Sequence, residues 1–388
     1  MQPEEATIQP HWLTRNEISP LQFGLSFLIL VGIPFSLWSL YADHAYLSGL
    51  IEKDRESYIT YIQNVSWSLS LLVIFPLFLG LSLHFYNTYP RVFQYLYNTT
   101  AIAPDKAIFL NLCKKIDRSV NHKMIPFAAF LASLLLTVFL FNEYLSNCDV
   151  ISWMTNGDIF DRTCESSLDH KGLSSRGVTA FIILVILATW VLIFAIRSML
   201  FIRGLFDLFN SSETNIRLDP FHPDGVSGLA KLSSLATLQA MLLFLLGIYV
   251  SLSVIDRLYL QKVSLFSDIG NPILIVGYIV IAPLMFFFIL GTAHNKMREA
   301  KESVISIICD KIKDTLEKIR LESDITVNRQ NFDYLKILEE QKSWLDKSVL
   351  VWPFDIKSIQ GFFSAILTPR IAPLIAGTVQ LVKYIQQL

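Results

Sequence analysis

The sequence has few charged residues. Asp, Glu, Lys and Arg make up 17% of its 388 residues, and 33 acidic residues nearly balance 32 basic ones. Soluble domains carry about 25% charged residues, and nucleic-acid-binding domains carry an excess of basic ones. The composition therefore gives no indication of a nucleic-acid partner. With 53% hydrophobic residues and a mean hydropathy of +0.47, it indicates an integral protein of the lipid bilayer.

The short motifs of common enzyme classes are also missing. The chain has no His-Glu-x-x-His zinc motif, no P-loop and no dinucleotide fingerprint. Residues 225–228 lack the Gly-x-Ser-x-Gly spacing of a nucleophile elbow. An enzyme is therefore a secondary expectation, and the cofactor is unknown. Because residues 1–20 lack a basic region and a small-residue cleavage site, we expect the first apolar run to be retained as a helix.

Long apolar runs take the place of the missing charge. A helix needs about 20 consecutive apolar residues to cross a bilayer. Six runs reach this length, at residues 21–41, 66–86, 125–144, 178–201, 236–255 and 272–291. We expect an all-α polytopic membrane protein, with six transmembrane helices in three hairpins over residues 1–293 and a cytoplasmic helical domain.

The basic residues are concentrated in alternate connections. Connection 87–124 holds six of them and the stretch 294–320 holds seven, whereas connection 145–177 holds five acidic residues. Basic residues favour the cytoplasmic side of short connections. This distribution predicts that both termini lie in the cytoplasm of a bacterial inner membrane protein.

The four cysteines fit this orientation. Cys148 and Cys164 lie in the predicted external connection, whereas Cys113 and Cys309 lie in predicted cytoplasmic segments. An oxidising exterior permits a disulfide between Cys148 and Cys164 that would fix the longest external connection. The alternative is two unrelated thiols.

The chain continues beyond the sixth apolar run with helical periodicity. Apolar residues recur on one helical face from Met297 to Ile319, and a second amphipathic pattern covers Asn331–Lys347. These patterns predict a cytoplasmic helical hairpin over residues 294–350. Within the last segment, residues 351–388, the stretch 361–385 is mostly apolar, but Pro369, Arg370 and Pro373 interrupt it. Because a spanning helix would place Arg370 near the bilayer centre at high cost, we expect a membrane-associated amphipathic tail.

A bend rich in proline and glycine joins the fourth and fifth apolar runs. Within it, Asp219, His222 and Asp224 offer carboxylates and an imidazole that suit a divalent metal or a base at the membrane surface. The simpler interpretation is that the histidine braces the loop and an aspartate caps the next helix. Together with Gly225 and Gly228, these residues form the candidate ligand or gating loop.

Two short segments carry a resemblance. The stretch His-Pro-Asp-Gly-Val-Ser-Gly-Leu at 222–229 and Trp-Pro-Phe-Asp at 352–355 resemble a group of largely uncharacterised bacterial polytopic membrane proteins. That group has a His-Pro-Asp-x-x-Gly-Gly-Leu loop between membrane helices and a Trp-Pro-Phe-Asp segment near the C-terminus. Here Ser227 replaces the first of the adjacent glycines. The resemblance implies a shared architecture and no activity.

No ionisable residue lies at the centre of the six apolar runs. Ion-coupled transporters usually need such charges, so a transporter ranks last. A pore lined by hydroxyls or closed by apolar residues needs none, and Ser133, Thr137, Thr189 and Ser251 are the candidate lining residues. The alternative is that these hydroxyls bond within or between helices.

The expected function is a homo-oligomeric channel or pore-type effector, gated from the cytoplasmic side by a cytosolic ligand or protein partner. This layout is similar to that of bacterial phage-defence effectors, which is an analogy of architecture only. The alternatives are a membrane-surface enzyme or metal site built on the His222 loop, and a non-conducting scaffold or sensor.

Overall fold

A computed structural model describes residues 18–49, 59–98, 106–146, 175–211, 229–256, 270–321 and 325–348 of the chain. These residues are almost entirely helical and contain no β-strand. Five stretches among them are long and apolar enough to cross a membrane: Pro20–Ser48, Val65–Tyr97, Ala107–Phe139, Ser175–Asn210 and Ala230–Ile255. The expectation of an all-α, multi-pass membrane protein is therefore confirmed.

The described helices differ greatly in length. They are α1 (Pro20–Phe27), α2 (Ile33–Gly49), α3 (Val65–Leu69), α4 (Phe75–Asn98), α5 (Lys106–Val120), α6 (Met124–Ser146), α7 (Ser175–Asn210), α8 (Ala230–Ile255), α9 (Gly270–Leu321) and α10 (Ile325–Ser348). Two short π-helical segments, Leu28–Gly32 and Ser70–Ile74, join α1 to α2 and α3 to α4. Several helices therefore extend well beyond the apolar runs, because polar residues continue the helical pattern past the bilayer.

The first helices begin at well-formed caps. Ser19 and Gln22 form a capping box at the start of α1, with Pro20 in the first turn, where proline costs no hydrogen bond. The side chain of Asn64 accepts a hydrogen bond from the backbone amide of Trp67 at the start of α3. These caps satisfy amides that a helix start leaves without partners.

Glycines allow the backbones of α1 and α4 to pack closely against each other. A methyl group at Gly80 would lie 2.8 Å from the carbonyl oxygen of Pro20, and one at Gly24 would collide with the carbonyl of Pro76. Small residues are what membrane helices use to bring their backbones together. The same applies where the π segments meet, since a methyl group at Gly32 would lie 2.7 Å from the carbonyl oxygen of Leu71.

The main core lies between α4, α5, α7, α8 and the middle of α9. Aromatic rings fill its centre in edge-to-face contacts, including Phe85 with Phe194 at 5.5 Å and Phe93 with Phe201 at 5.6 Å between ring centroids. Such contacts stabilise a core beyond simple area burial. Ala293 and Met297 of α9 are buried in this same core.

Helix α9 is 52 residues long, which corresponds to about 78 Å along its axis. Beyond Met297 it packs against α10 in an antiparallel pair, with Ile308, Leu338 and Leu345 as the buried contacts. Lys301 Nζ donates to the backbone carbonyl of Asp346 at 2.9 Å. Helix α10 begins six residues before the predicted Asn331, because Ile325 to Gln330 also adopt helical conformation.

Candidate functional site: buried polar groups at the two ends of the bundle

A buried ion pair closes one end of the helical bundle. Arg176, near the start of α7, places Nη1 2.5 Å from Asp43 Oδ1 and donates to the carbonyl oxygen of Ser39 at 3.1 Å. The other carboxylate oxygen of Asp43 accepts from the amide of Tyr61 at 2.6 Å. Tyr61 in turn shares a 2.8 Å hydrogen bond with the hydroxyl of Ser36. This network joins α2, the segment before α3, and α7.

A second buried carboxylate lies at the same end. Asp256, directly after α8, accepts from the amide of Ser66 at the start of α3, at 2.6 Å. Burial raises the pKa of Asp256 above its ordinary value, and hydrogen bonds from Ser66 and Val65 oppose this shift. Carboxylates that face backbone amides at a helix start are stabilised by the helix dipole. Asp256 thus fixes α8 to the start of α3.

The opposite end of the bundle holds Arg197. It follows Arg176 by 21 positions on the same helix, which is about 32 Å along the axis. The hydrocarbon core of a bilayer is about 30 Å thick. The residues between the two arginines carry no charge. The spacing of the two arginines therefore matches the thickness of one hydrocarbon core.

Arg197 is buried against the ring of Tyr86. It is 3% exposed, and its guanidinium lies 5.3 Å from the ring centroid of Tyr86 on α4. It forms no salt bridge within the described ranges, and its Nε and Nη1 donors have no hydrogen-bond partner there. A desolvated cation–π contact contributes about 2 kcal/mol, whereas burying one ion costs several. The charge of Arg197 is therefore incompletely compensated.

Gln239 of α8 lies near the level of Tyr86, which contacts Arg197. Helices α4 and α8 are antiparallel, since Ser66 bonds to Asp256 and the ring of Phe75 lies 5.4 Å from that of Tyr249. Continued along both helices, this register places Gln239 within about one turn of Tyr86. Gln239 is fully buried, and neither its amide nitrogen nor its amide oxygen has a partner among the described residues. We define Arg197 and Gln239 as the Arg197 cluster.

A polar triangle and a crevice lie next to the Arg197 cluster. The hydroxyl of Tyr89 donates to Asp117 at 2.9 Å, and Asn121 Nδ2 lies 2.9 Å from both partners. Between α5 and α7 lies a crevice of about 260 Å³, lined by Leu112, Lys115, Ile116, Ser119, Leu200, Arg203, Gly204, Asp207 and Leu208. Leu200 lies one helical turn from Arg197, so the crevice approaches the cluster from the end of the bundle.

The structure brings together two of the predicted pore-lining residues. The hydroxyls of Ser133 on α6 and Thr189 on α7 are 2.5 Å apart, and Thr189 also donates to the carbonyl of Val185. Thr137 is buried. Ser251 lies away from them on α8, where its hydroxyl donates to the carbonyl of Gly247 at 2.8 Å. Within one chain these hydroxyls therefore act mainly in helix contacts.

Other predicted site residues lie outside the described residues. This applies to Asp219, His222, Asp224, Gly225 and Gly228, to both Cys148 and Cys164, and to the tail at 351–388. Where side chains are described, the thiols of Cys113 and Cys309 are free, and no group of three His, Cys, Asp or Glu residues could hold a metal ion.

Sequence reasoning missed Asp43, Arg176 and Gln239. One signal was available for Gln239, because it is the only amide side chain in the 26 residues of α8. No local sequence pattern indicated the pairing of Asp43 with Arg176, which are 133 positions apart.

Comparison of the chain with models of known protein families, with curated proteins and with solved structures found no match.

Proposed function

We propose that this chain is the subunit of a homo-oligomeric channel or pore-type effector of the bacterial inner membrane, gated from the cytoplasmic side. In this proposal residues 272–291 of α9 form a sixth span, both termini are cytoplasmic, and α9 and α10 form a cytoplasmic hairpin. The channel opens when a cytosolic ligand or protein partner binds. The connection between α7 and α8, which contains Asp219, His222 and Asp224, is the proposed ligand or gating loop.

The continuity of α9 is the observation that carries the proposal. Met297 is buried in the main core of the bundle, and Ile308 is buried in the core of the hairpin. No break in the helix separates the two positions. A tilt of the hairpin would therefore be transmitted to α4, α7 and α8. A helix that couples ligand binding in the cytoplasm to opening of a membrane gate has to transmit motion in this way.

Exposed residues on α10 support assembly from several copies. Val327, Tyr334, Ile337 and Trp344 are exposed on the hairpin surface. Their spacing of seven, three and seven positions is that of the contact seam of a coiled coil. Because Ser133 and Thr189 are bonded to each other inside one chain, a pore in this proposal opens between copies.

The test is a planar-bilayer recording of the reconstituted full chain with bacterial cytosolic extract, including extract from phage-infected cells, on the hairpin side. The matched variants are Glu302→Pro and Glu302→Ala. Both remove the same exposed side chain, but only proline breaks α9, at a cost of about 3 kcal/mol. We expect wild type and E302A to show extract-dependent conductance steps, and E302P to lose at least about 90% of them because the helix no longer transmits the tilt.

A non-conducting scaffold or sensor is the second candidate. The exposed seam on α10 favours it, since the same surface is suited to a helical partner protein. A bilayer that stays silent with every extract would overturn the channel. In that case, capture of one defined protein that is lost in Tyr334→Glu would support the sensor.

A further inference from the structure

We propose that the Arg197 cluster is a binding site for a phosphate oxyanion, reached through the crevice between α5 and α7. The ligand is either the phosphate of a phospholipid headgroup or free inorganic phosphate. This inference does not depend on whether the protein conducts, and it uses none of the residues of the predicted His222 loop.

The unpartnered atoms of the cluster determine the chemistry. Arg197 offers Nε and Nη1 as free donors, and the amide nitrogen of Gln239 adds another. Buried polar groups in proteins normally have partners, so donors that lack one indicate an acceptor that arrives from outside the chain. Guanidinium groups bind phosphate oxygens in a bidentate manner. A tetrahedral oxyanion would compensate the buried charge and accept hydrogen bonds from the guanidinium, and in this proposal Gln239 Nε2 adds a further donor.

The surroundings give such a ligand a route and a location. Lys115 and Arg203 line the crevice and outnumber its single carboxylate, Asp207. Leu200 connects the crevice to Arg197 along one face of α7. Arg197 lies about one hydrocarbon thickness from Arg176, which in this proposal places it where the hydrocarbon core meets the headgroups of one leaflet. A headgroup phosphate can therefore reach the cluster without crossing the apolar core.

The experiment compares two phosphate sources on the full chain. Thermal unfolding is measured in micelles of a phosphate-free sugar detergent with increasing inorganic phosphate, and chloride at equal ionic strength serves as the reference. The second arm adds phosphatidylglycerol to these micelles, and native mass spectrometry records retained phosphatidylglycerol. A ligand that binds only the folded protein raises its unfolding temperature. Response to inorganic phosphate identifies a free anion, and response to phosphatidylglycerol alone identifies a headgroup.

The variants are Arg197→Met, Gln239→Leu and the control Arg118→Met. Arg118 is exposed on α5 and does not line the crevice. We expect R197M to weaken binding of the responding phosphate source at least about tenfold and Q239L several-fold, in keeping with the loss of a charge-assisted and a neutral hydrogen bond. R118M should bind like wild type. Absence of a response in both arms, or an equal response in R197M, Q239L and wild type, would overturn the site.

The unfolding temperature without phosphate distinguishes an arginine that binds a ligand from one that only stabilises the fold. In the phosphate-free detergent and without added phosphate, R197M is expected to unfold at the same or a higher temperature than wild type, since replacing an uncompensated buried charge with an apolar side chain is neutral or stabilising. A marked drop for R197M under these conditions would instead identify Arg197 as a structural group and contradict the proposal.

Discussion

At the scale of single residues, two arginines on one helix have opposite environments. Arg176 contacts Asp43 and the carbonyl oxygen of Ser39, so its charge is compensated within the chain. Arg197 is also deeply buried, but it forms no salt bridge among the described residues and its guanidinium lies against the ring of Tyr86. Because removing a charge from water is costly unless it is paired, the first arginine is expected to stabilise the fold and the second to serve a ligand.

The Arg176–Asp43 pair gives a direct stability prediction. Arg176→Met leaves the Asp43 carboxylate buried without its cation, and we expect the free energy of unfolding to fall by about 3–5 kcal/mol. Equilibrium unfolding in detergent micelles measures this change. The control is Glu299→Gln, which removes an exposed pair with Lys296 and is expected to cost less than about 1 kcal/mol.

The double variant Arg176→Met, Asp43→Leu separates pairing from packing. We expect it to be more stable than R176M alone, because it no longer buries an unpaired carboxylate. Equal stabilities of R176M and E299Q would show that the pair is unimportant for folding.

At the scale of helices, contacts between backbones hold the first hairpin of the bundle together. Gly24 and Gly80 lie where α1 meets α4, and neither position has room for a methyl group. The two π-helical segments meet in the same interface, at Gly32 and Leu71. The aromatic core around Phe201 uses side-chain packing instead, so the two halves of the bundle tolerate different substitutions.

Gly80→Ala is expected to destabilise the protein by about 1–3 kcal/mol, since the added methyl group would overlap the carbonyl of Pro20 and force α1 from α4. Gly291→Ala is the matched control in another long helix, because a methyl group there meets nothing within 4 Å. Thermal unfolding of the two variants provides the comparison. Equal effects at Gly80 and Gly291 would contradict close contact between α1 and α4.

At the scale of the whole molecule, α9 connects two cores. Its middle is buried with α4, α7 and α8, and its last part is buried against α10. Exposed apolar residues cover much of the bundle surface, as at Leu30 and Leu135, which suits contact with lipid tails. The hairpin surface carries many charged residues instead, including Lys311, Lys313 and Glu317, which suits water.

The orientation of the molecule can be tested with Cys309, which lies on α9 within the hairpin and is partly exposed. With Cys113, Cys148 and Cys164 replaced by Ser, we expect a membrane-impermeant maleimide to label Cys309 in inverted inner-membrane vesicles and not in intact spheroplasts, as basic flanking segments predict. Labelling in spheroplasts would place the hairpin outside the cell. Lysed spheroplasts control for reagent activity.

Much of the fold could be predicted from the sequence, because apolar run length and helical periodicity are local properties. They predicted α-helices at each described span and the continuation of the helix past Gly291. The start of α10 was less predictable: the helix begins at Ile325 and not at Asn331, since helical conformation extends beyond the amphipathic pattern. Of the candidate site, the sequence offered the isolated amide of Gln239 and nothing that linked it to Arg197.

The sequence by itself determined that the chain is helical and enters a membrane, because about 20 apolar residues in a row have no other stable environment. Tertiary structure alone decided which charges are compensated. Asp43 reaches Arg176 across 133 positions, whereas Arg197 lies against the ring of Tyr86 and has no salt bridge among the described residues. Pairing of buried charges depends on distances between helices, and such distances are set by packing and by close contacts such as Gly80 with Pro20, not by any local pattern.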